Sequence, residues 1–192
     1  MSVKAVIFDL DGTLTKFNLD IKGIKREILG RDSSDSLLDI IDDLKGPERA
    51  RAKRILEARE CEAAKRVELN KGARRLLARL SEAGIRTGVV TRNNKRAVEI
   101  ITRRFGMDFD VVVSREDAKP KPSKEQLEKA LRALGVEREE AVFVGDHRFD
   151  LEAGKAAGIK TGLVKNEFSQ GVLEEADFVI GSLEELEGHL FP

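Results

Sequence analysis

The stretch VIFDLDGTL, Val6 to Leu14, sets two carboxylates, Asp9 and Asp11, directly behind a hydrophobic run. A strand end needs a turn, and Asp-Gly supplies one through Gly12. The i, i+2 spacing points both acids the same way if strand geometry persists. Either this is ordinary turn chemistry, or the strand aims two acids at something cationic. The other strand ends decide between the two.

From residue 71 onward, short β-rich runs appear at 86–90, 111–113, 141–144, 161–164 and 178–180, with helical patterns of crossover length between the first four. Gly84-Ile85, Gly106-Met107, Gly135-Val136 and Gly158-Ile159 each pair a left-handed helix stop with an apolar residue that packs back on the last turn. The runs are apolar throughout, as expected of strands covered by helices on both faces. Residues 3–8 read the same way and join that sheet. The expected fold is α/β, a doubly wound parallel sheet.

Residues 16–70 break this rhythm with three helical patterns, at 20–29, 36–44 and 47–69, and no β-rich run. Pro47 suits a first turn. Ala52, Ile55, Leu56, Ala63 and Val67 form an apolar stripe at helical spacing. The division is therefore a core of residues 1–15 and 71–192 with an all-helical insertion after the first strand. Arg49, Arg51, Lys53, Arg54, Arg59, Lys65 and Arg66 crowd the long helix. They read as a solvated face partnered by Glu48, Glu57, Glu60 and Glu62 rather than as groups turned toward an anionic ligand.

The 192 residues suffice for one core plus an insertion. Lys and Arg balance Asp and Glu at 35 each, so no global field points to nucleic acid or a membrane. A charged fraction of 36% without Trp or Tyr suits a thermophilic origin. The single Cys61 excludes an internal disulfide and reads as a small buried hydrophobe. Neither a leader segment nor a run of about 20 apolar residues is evident, so a cytoplasmic protein is expected. Monomer and homodimer stay open.

In an open α/β sheet, ligands bind beyond the carboxyl ends of the strands. Asp9 and Asp11 follow the first run; Thr91, Arg92 and Asn93 follow 86–90; AKPKP, with Lys119 and Lys121, follows 111–113. GDHRFD follows 141–144, with Asp146 and Asp150 on one helical face. Four clustered carboxylates invite a divalent metal with oxygen ligands, and a Lys and a Thr opposite them suit a phosphoryl group.

Taken in order, DLDGTL, VVTRN, KPKP and VGDHRFDLEAGKAAG resemble the four motifs of the haloacid dehalogenase superfamily. The insertion lies where that superfamily carries a helical cap. SREDAKPKPSKEQLEKAL and ADFVIGSLEEL are similar to its phosphoglycolate phosphatase-like branch. The resemblance implies Asp9 as nucleophile forming an aspartyl-phosphate, and Asp11 as acid and then base. Mg²⁺ would be held by Asp9, the Asp11 backbone carbonyl and Asp146, with Asp150 a further ligand or an orienter of metal-bound water. Thr91 and Lys119 would hold the transferring oxygens. Lys119 is preferred to Lys121 because it matches the first Lys of the family's Lys-Pro-x-Pro pattern.

Gly12, Arg92 and Asn93 are expected near the substrate; for Arg92 a solvated loop position is the equal alternative. His147 reads as structural, since Asp11 already fills the acid/base role. An acid two residues after the nucleophile serves an alkoxide leaving group, so a phosphatase is expected, acting on a small phosphorylated metabolite such as 2-phosphoglycolate. The rivals are a sugar phosphomutase and a non-catalytic phosphoacceptor or ligand-binding module.

Overall fold

The computed structural model describes residues 3–190. Its elements run β1 (Ala5–Phe8), α1 (Ile21–Leu29), α2 (Leu37–Asp43), α3 (Gly46–Arg66), α4 (Ala73–Glu82), β2 (Arg86–Val90), α5 (Lys95–Phe105) and β3 (Val111–Val113). They continue through α6 (Glu125–Leu134), β4 (Ala141–Gly145), α7 (Arg148–Ala157), β5 (Lys160–Val164), β6 (Phe178–Ile180) and α8 (Leu186–Leu190). All strand pairs are parallel, in the order β3-β2-β1-β4-β5-β6. This is the doubly wound arrangement, and its strand order reverses on either side of β1.

Strand alternation divides the core into two layers. Val6 and Phe8 face one layer with Ala73, Leu76 and Leu80 of α4, Ala97, Val98 and Ile101 of α5, and Leu186 and Leu190 of α8. Ala5 and Ile7 face the other, with Leu127, Ala130 and Leu134 of α6 and Ala153 and Ala157 of α7. Both faces are covered, which is why the strands carry no polar alternation. The four expected glycine stops all take left-handed backbone, with φ of 69° at Gly84, 61° at Gly106 and Gly135, and 70° at Gly158. Among the described residues, no helix is long and apolar enough to cross a membrane.

Residues between β1 and β2 form α1, α2 and α3 before α4 returns the chain to the sheet. Ile24, Leu37, Ile41, Ala52 and Leu56 make a hydrophobic cluster of their own. The far end of α3 instead joins the main core through Ala64 and Val67. The basic residues expected on a solvated face are exposed, apart from a half-buried Arg49. Glu60 departs from expectation. It is 5% exposed, and it pairs with Arg115 beyond β3 and accepts from Asn94 Nδ2 at the start of α5. Helical spacing alone cannot separate it from its neighbours, because the sheet side of α3 is defined by loops remote in sequence.

This ion pair fastens the insertion to the sheet. Removing one partner of a buried pair strands the other charge. Glu60→Ala is expected to lower the stability of folding by about 3–5 kcal/mol, whereas exposed Glu57→Ala stays within about 0.5 kcal/mol, both read by urea denaturation.

Candidate active site

β1 and β4 are neighbours at the point where strand order reverses, the place where open α/β sheets bind ligands. Phe8 is in register with Val144, and the Asp9 backbone N–H donates to the Val144 carbonyl at 2.8 Å. The two chains therefore leave the sheet side by side, carrying Asp9 and Asp146 out together. Asp9, Asp146 and Asp150 are all buried, and each offers a carboxylate oxygen within 4.8 Å of the others.

One ammonium answers these three acids, and it belongs to Lys121. Its Nζ lies 2.5 Å from Asp9 Oδ1 and 2.6 Å from Asp150 Oδ1, with the side chain 1% exposed. The expectation for Lys119 is corrected here. Lys119 is exposed, and its backbone N–H bonds to Glu125 at 3.4 Å. The loop is held by Gln126, which is fully buried at the start of α6. Gln126 Oε1 accepts from the Lys121 backbone N–H at 3.3 Å, and Nε2 donates to the carbonyls of Thr91 at 2.9 Å and Ser114 at 2.8 Å. One amide thus ties the loops after β2 and β3 to the lysine. A polar residue four positions before Ala130, on the apolar stripe of α6, was the available signal.

Asp150 also caps its own helix. Its Oδ2 accepts from the backbone N–H groups of Asp146 at 3.1 Å and His147 at 3.0 Å. His147 is the N-cap of α7, its Nδ1 accepting from the Phe149 backbone N–H at 3.1 Å, which fits the structural reading of this residue. Asp146 accepts from Asn166 Nδ2 at 2.8 Å and from Thr13 Oγ1 at 3.4 Å. Asn166 escaped the sequence reading, although it follows β5 as the other site residues follow their strands.

Gly12 has a geometric reason. At φ 94°, a Cβ there would lie 2.2 Å from Asp146 Oδ2. Its loop is clamped by Asn70, whose Nδ2 donates to the carbonyls of Gly12 at 2.9 Å, Thr13 at 2.8 Å and Thr15 at 3.2 Å. Asp11 sits on the same turn. It accepts from Asn93 Nδ2 at 2.9 Å and, weakly, from Thr15 Oγ1 at 3.5 Å. Thr91 is buried, with its Oγ1 accepting from the Asn93 backbone N–H at 3.0 Å. Arg92 is half-buried rather than solvated.

The electrostatics follow from burial. Desolvation holds the Asp9 carboxyl well above the usual carboxylate range, against the pull of Lys121. Burial, then repulsion from Asp150, pushes Asp146 up to about 7. Burial also raises Asp11, opposed by its bond from Asn93. For Lys121, burial works against the charge, but Asp150 and Asp9 outweigh it and raise its pKa. The site carries more negative charge than its lysine neutralises.

The model of haloacid dehalogenase-like hydrolases matches residues 25–164. The chain belongs to that family. It is a phosphatase-type hydrolase, as its relatives are. Pyrophosphatase PpaX of Halalkalibacterium halodurans is 32% identical over 85% of this chain and 84% of its own length. Among solved structures, a putative phosphoglycolate phosphatase from Lactobacillus plantarum superposes with a TM-score of 0.79 at 25% identity, covering 100% of both chains. CbbY from Rhodobacter sphaeroides, in complex with phosphate, gives 0.77 at 26% identity over 96% of each.

The two lysines of KPKP now separate. Lys121→Ala is expected to lower kcat/KM for 4-nitrophenyl phosphate by about 10²–10³-fold, as for loss of one oxyanion-stabilising donor, while Lys119→Ala stays within about twofold. Steady-state release of nitrophenolate measures both.

Proposed function

We propose that this chain is a Mg²⁺-dependent phosphomonoester hydrolase that works through an aspartyl-phosphate at Asp9. The observation that carries the reading is the meeting of Asp9 with Lys121, Asp146 and Asp150 at the ends of β1 and β4. The donors fit Mg²⁺: they are hard carboxylate oxygens with surplus negative charge, and only a residue without Cβ leaves room against Asp146. Asp9, Asp146 and the Asp11 backbone carbonyl would hold the ion. Asp150, with one oxygen on Lys121 and the other on two backbone N–H groups, would orient rather than ligate. Bound Mg²⁺ supplies charge neutralisation for the phosphoryl oxygens.

Asp9 Oδ1 is held by Lys121, which leaves Oδ2 to attack phosphorus. The new P–Oδ2 bond forms as the P–O bond to the alcohol breaks, and Asp11 gives its proton to the departing alkoxide. The raised pKa of Asp11 suits that donation. Asp11, now a carboxylate held by Asn93, takes a proton from water. The water oxygen attacks phosphorus, inorganic phosphate forms and Asp9 is freed as carboxylate. Lys121 and Thr91 would steady the transferring oxygens throughout.

The substrate is a small phosphorylated metabolite, with 2-phosphoglycolate the leading candidate. The relatives named for phosphoglycolate and pyrophosphate support a compact doubly charged substrate. The helices α1–α3, with their own hydrophobic cluster, would act as a small cap over the strand ends. The cytoplasm is the proposed location.

Wild type is expected to release phosphate from 4-nitrophenyl phosphate with Mg²⁺, and to lose that activity with chelator or in Asp9→Asn. Absence of turnover across a broad panel of phosphoesters would favour a binding module instead. Asp11→Asn separates the two half-reactions. Nitrophenolate departs without a proton, so this variant is expected to give a burst of one product per site, then turnover slowed by about 10²–10⁴-fold, read by stopped flow.

A further inference from the structure

Arg92 is the cation that the chemistry above does not use. It directly follows Thr91 at the end of β2 and is half-buried. Its guanidinium carbon lies 4.3 Å from the centre of the Phe149 ring, one residue before Asp150. Its Nη2 donates to the hydroxyl of Ser36, a residue of the insertion, at 2.8 Å. Among the described residues it makes no ion pair. Arg115, the arginine of the next strand-end loop, is by contrast neutralised by Glu60. Burial pulls the Arg92 pKa down, and Asp39, Asp150 and Asp9 support its charge only at longer range.

A half-buried guanidinium held by one neutral hydroxyl and an aromatic face is partly desolvated with no counter-ion to offset the cost. Its planar fork matches a carboxylate or phosphate in two parallel bonds. The present partner is easily given up. Ser36 is the N-cap of α2, yet its hydroxyl makes no bond to its own helix. Once Arg92 turns to an anion, that hydroxyl is free to cap α2 instead. Arg92 also stands at the seam between the insertion and the strand ends, over Phe149, whose neighbour in sequence, Asp150, shares Lys121 with Asp9.

We propose that Arg92 receives a second anionic group on the leaving-group side of the substrate, making this enzyme selective for small, doubly anionic phosphoesters. Carboxylate and phosphate share the chemistry the fork recognises. The inference rests on the phosphatase reading of the same site.

The test uses the full chain with Mg²⁺ and three substrates. 2-Phosphoglycolate carries a second carboxylate, pyrophosphate a second phosphate, and 2-hydroxyethyl phosphate a neutral hydroxyl at similar size. Arg92→Met is expected to lower the ratio of kcat/KM for the doubly anionic substrates over the neutral one by about 100-fold, with Arg92→Lys recovering about tenfold of it. Whichever doubly anionic substrate loses more identifies the anion. Equal losses on all three substrates would overturn the proposal and leave Arg92 a tie between insertion and sheet.

A binding measurement separates this from failure of the phosphatase reading. Calorimetry on Asp9→Asn, with and without Arg92→Met, compares 2-phosphoglycolate with 2-hydroxyethyl phosphate and needs no turnover. Selective loss of 2-phosphoglycolate binding upholds the role of Arg92 even if wild type hydrolyses nothing. Unchanged selectivity in binding overturns it even if wild type is a phosphatase.

Discussion

A single buried ammonium faces three buried carboxylates, and the charge it leaves over governs the rest of the site. Each ion taken from water costs several kcal/mol even after relaxation, so the cluster is tolerable only if every member is held and the surplus is met. Lys121 meets Asp9 and Asp150 at 2.5 and 2.6 Å. Among the described residues Asp146 is held by neutral donors, Asn166 and Thr13, and burial, then repulsion from Asp150, pushes its pKa up to about 7. A cation of oxygen-ligand type would resolve that surplus. The backbone is shaped to the same end: a Cβ at Gly145 would lie 2.4 Å from Asp150 Cβ, just as one at Gly12 would strike Asp146.

Neutral amides hold the charged groups in place. Gln126 joins the loops after β2 and β3 to Lys121, Asn70 clamps the turn that bears Asp11, and Asn166 fixes Asp146. None of them adds charge to a site already rich in it. The insertion is fastened by charge instead, through Glu60 and Arg115, and that pair also reaches the loop after β2: Asn94 bonds Glu60, and Arg115 bonds the Arg92 carbonyl at 3.3 Å. Placement of the insertion and placement of Thr91 and Arg92 are therefore one problem.

The sheet was legible because its signals are local. Apolar runs covered on both faces, and glycines that must take left-handed backbone, announce themselves within a few residues. Asp9 and Asp146 were legible for the same reason, each standing directly after its strand, with Asp150 one helical turn further on in α7. The insertion's three helices were also found, with α3 ending earlier than its apolar stripe suggested, at Arg66. Choosing between Lys119 and Lys121 needed more. Two lysines two residues apart in one loop differ only in what that loop packs against, and Gln126 settles this from a helix downstream. Glu60 was misplaced for a similar reason, since its partners lie 34 and 55 residues away.

The central claim is that Asp9 takes the phosphoryl group onto its own carboxylate. An acyl phosphate is reduced by borohydride to the alcohol, which turns a phosphorylated aspartate into homoserine. Asp11→Asn protein, mixed with substrate and Mg²⁺, quenched and reduced, would be digested and sequenced by mass spectrometry. The account predicts homoserine at position 9 and at no other aspartate. An unreduced Asp9 under conditions where substrate is consumed, or homoserine at Asp146 or Asp150, would contradict it.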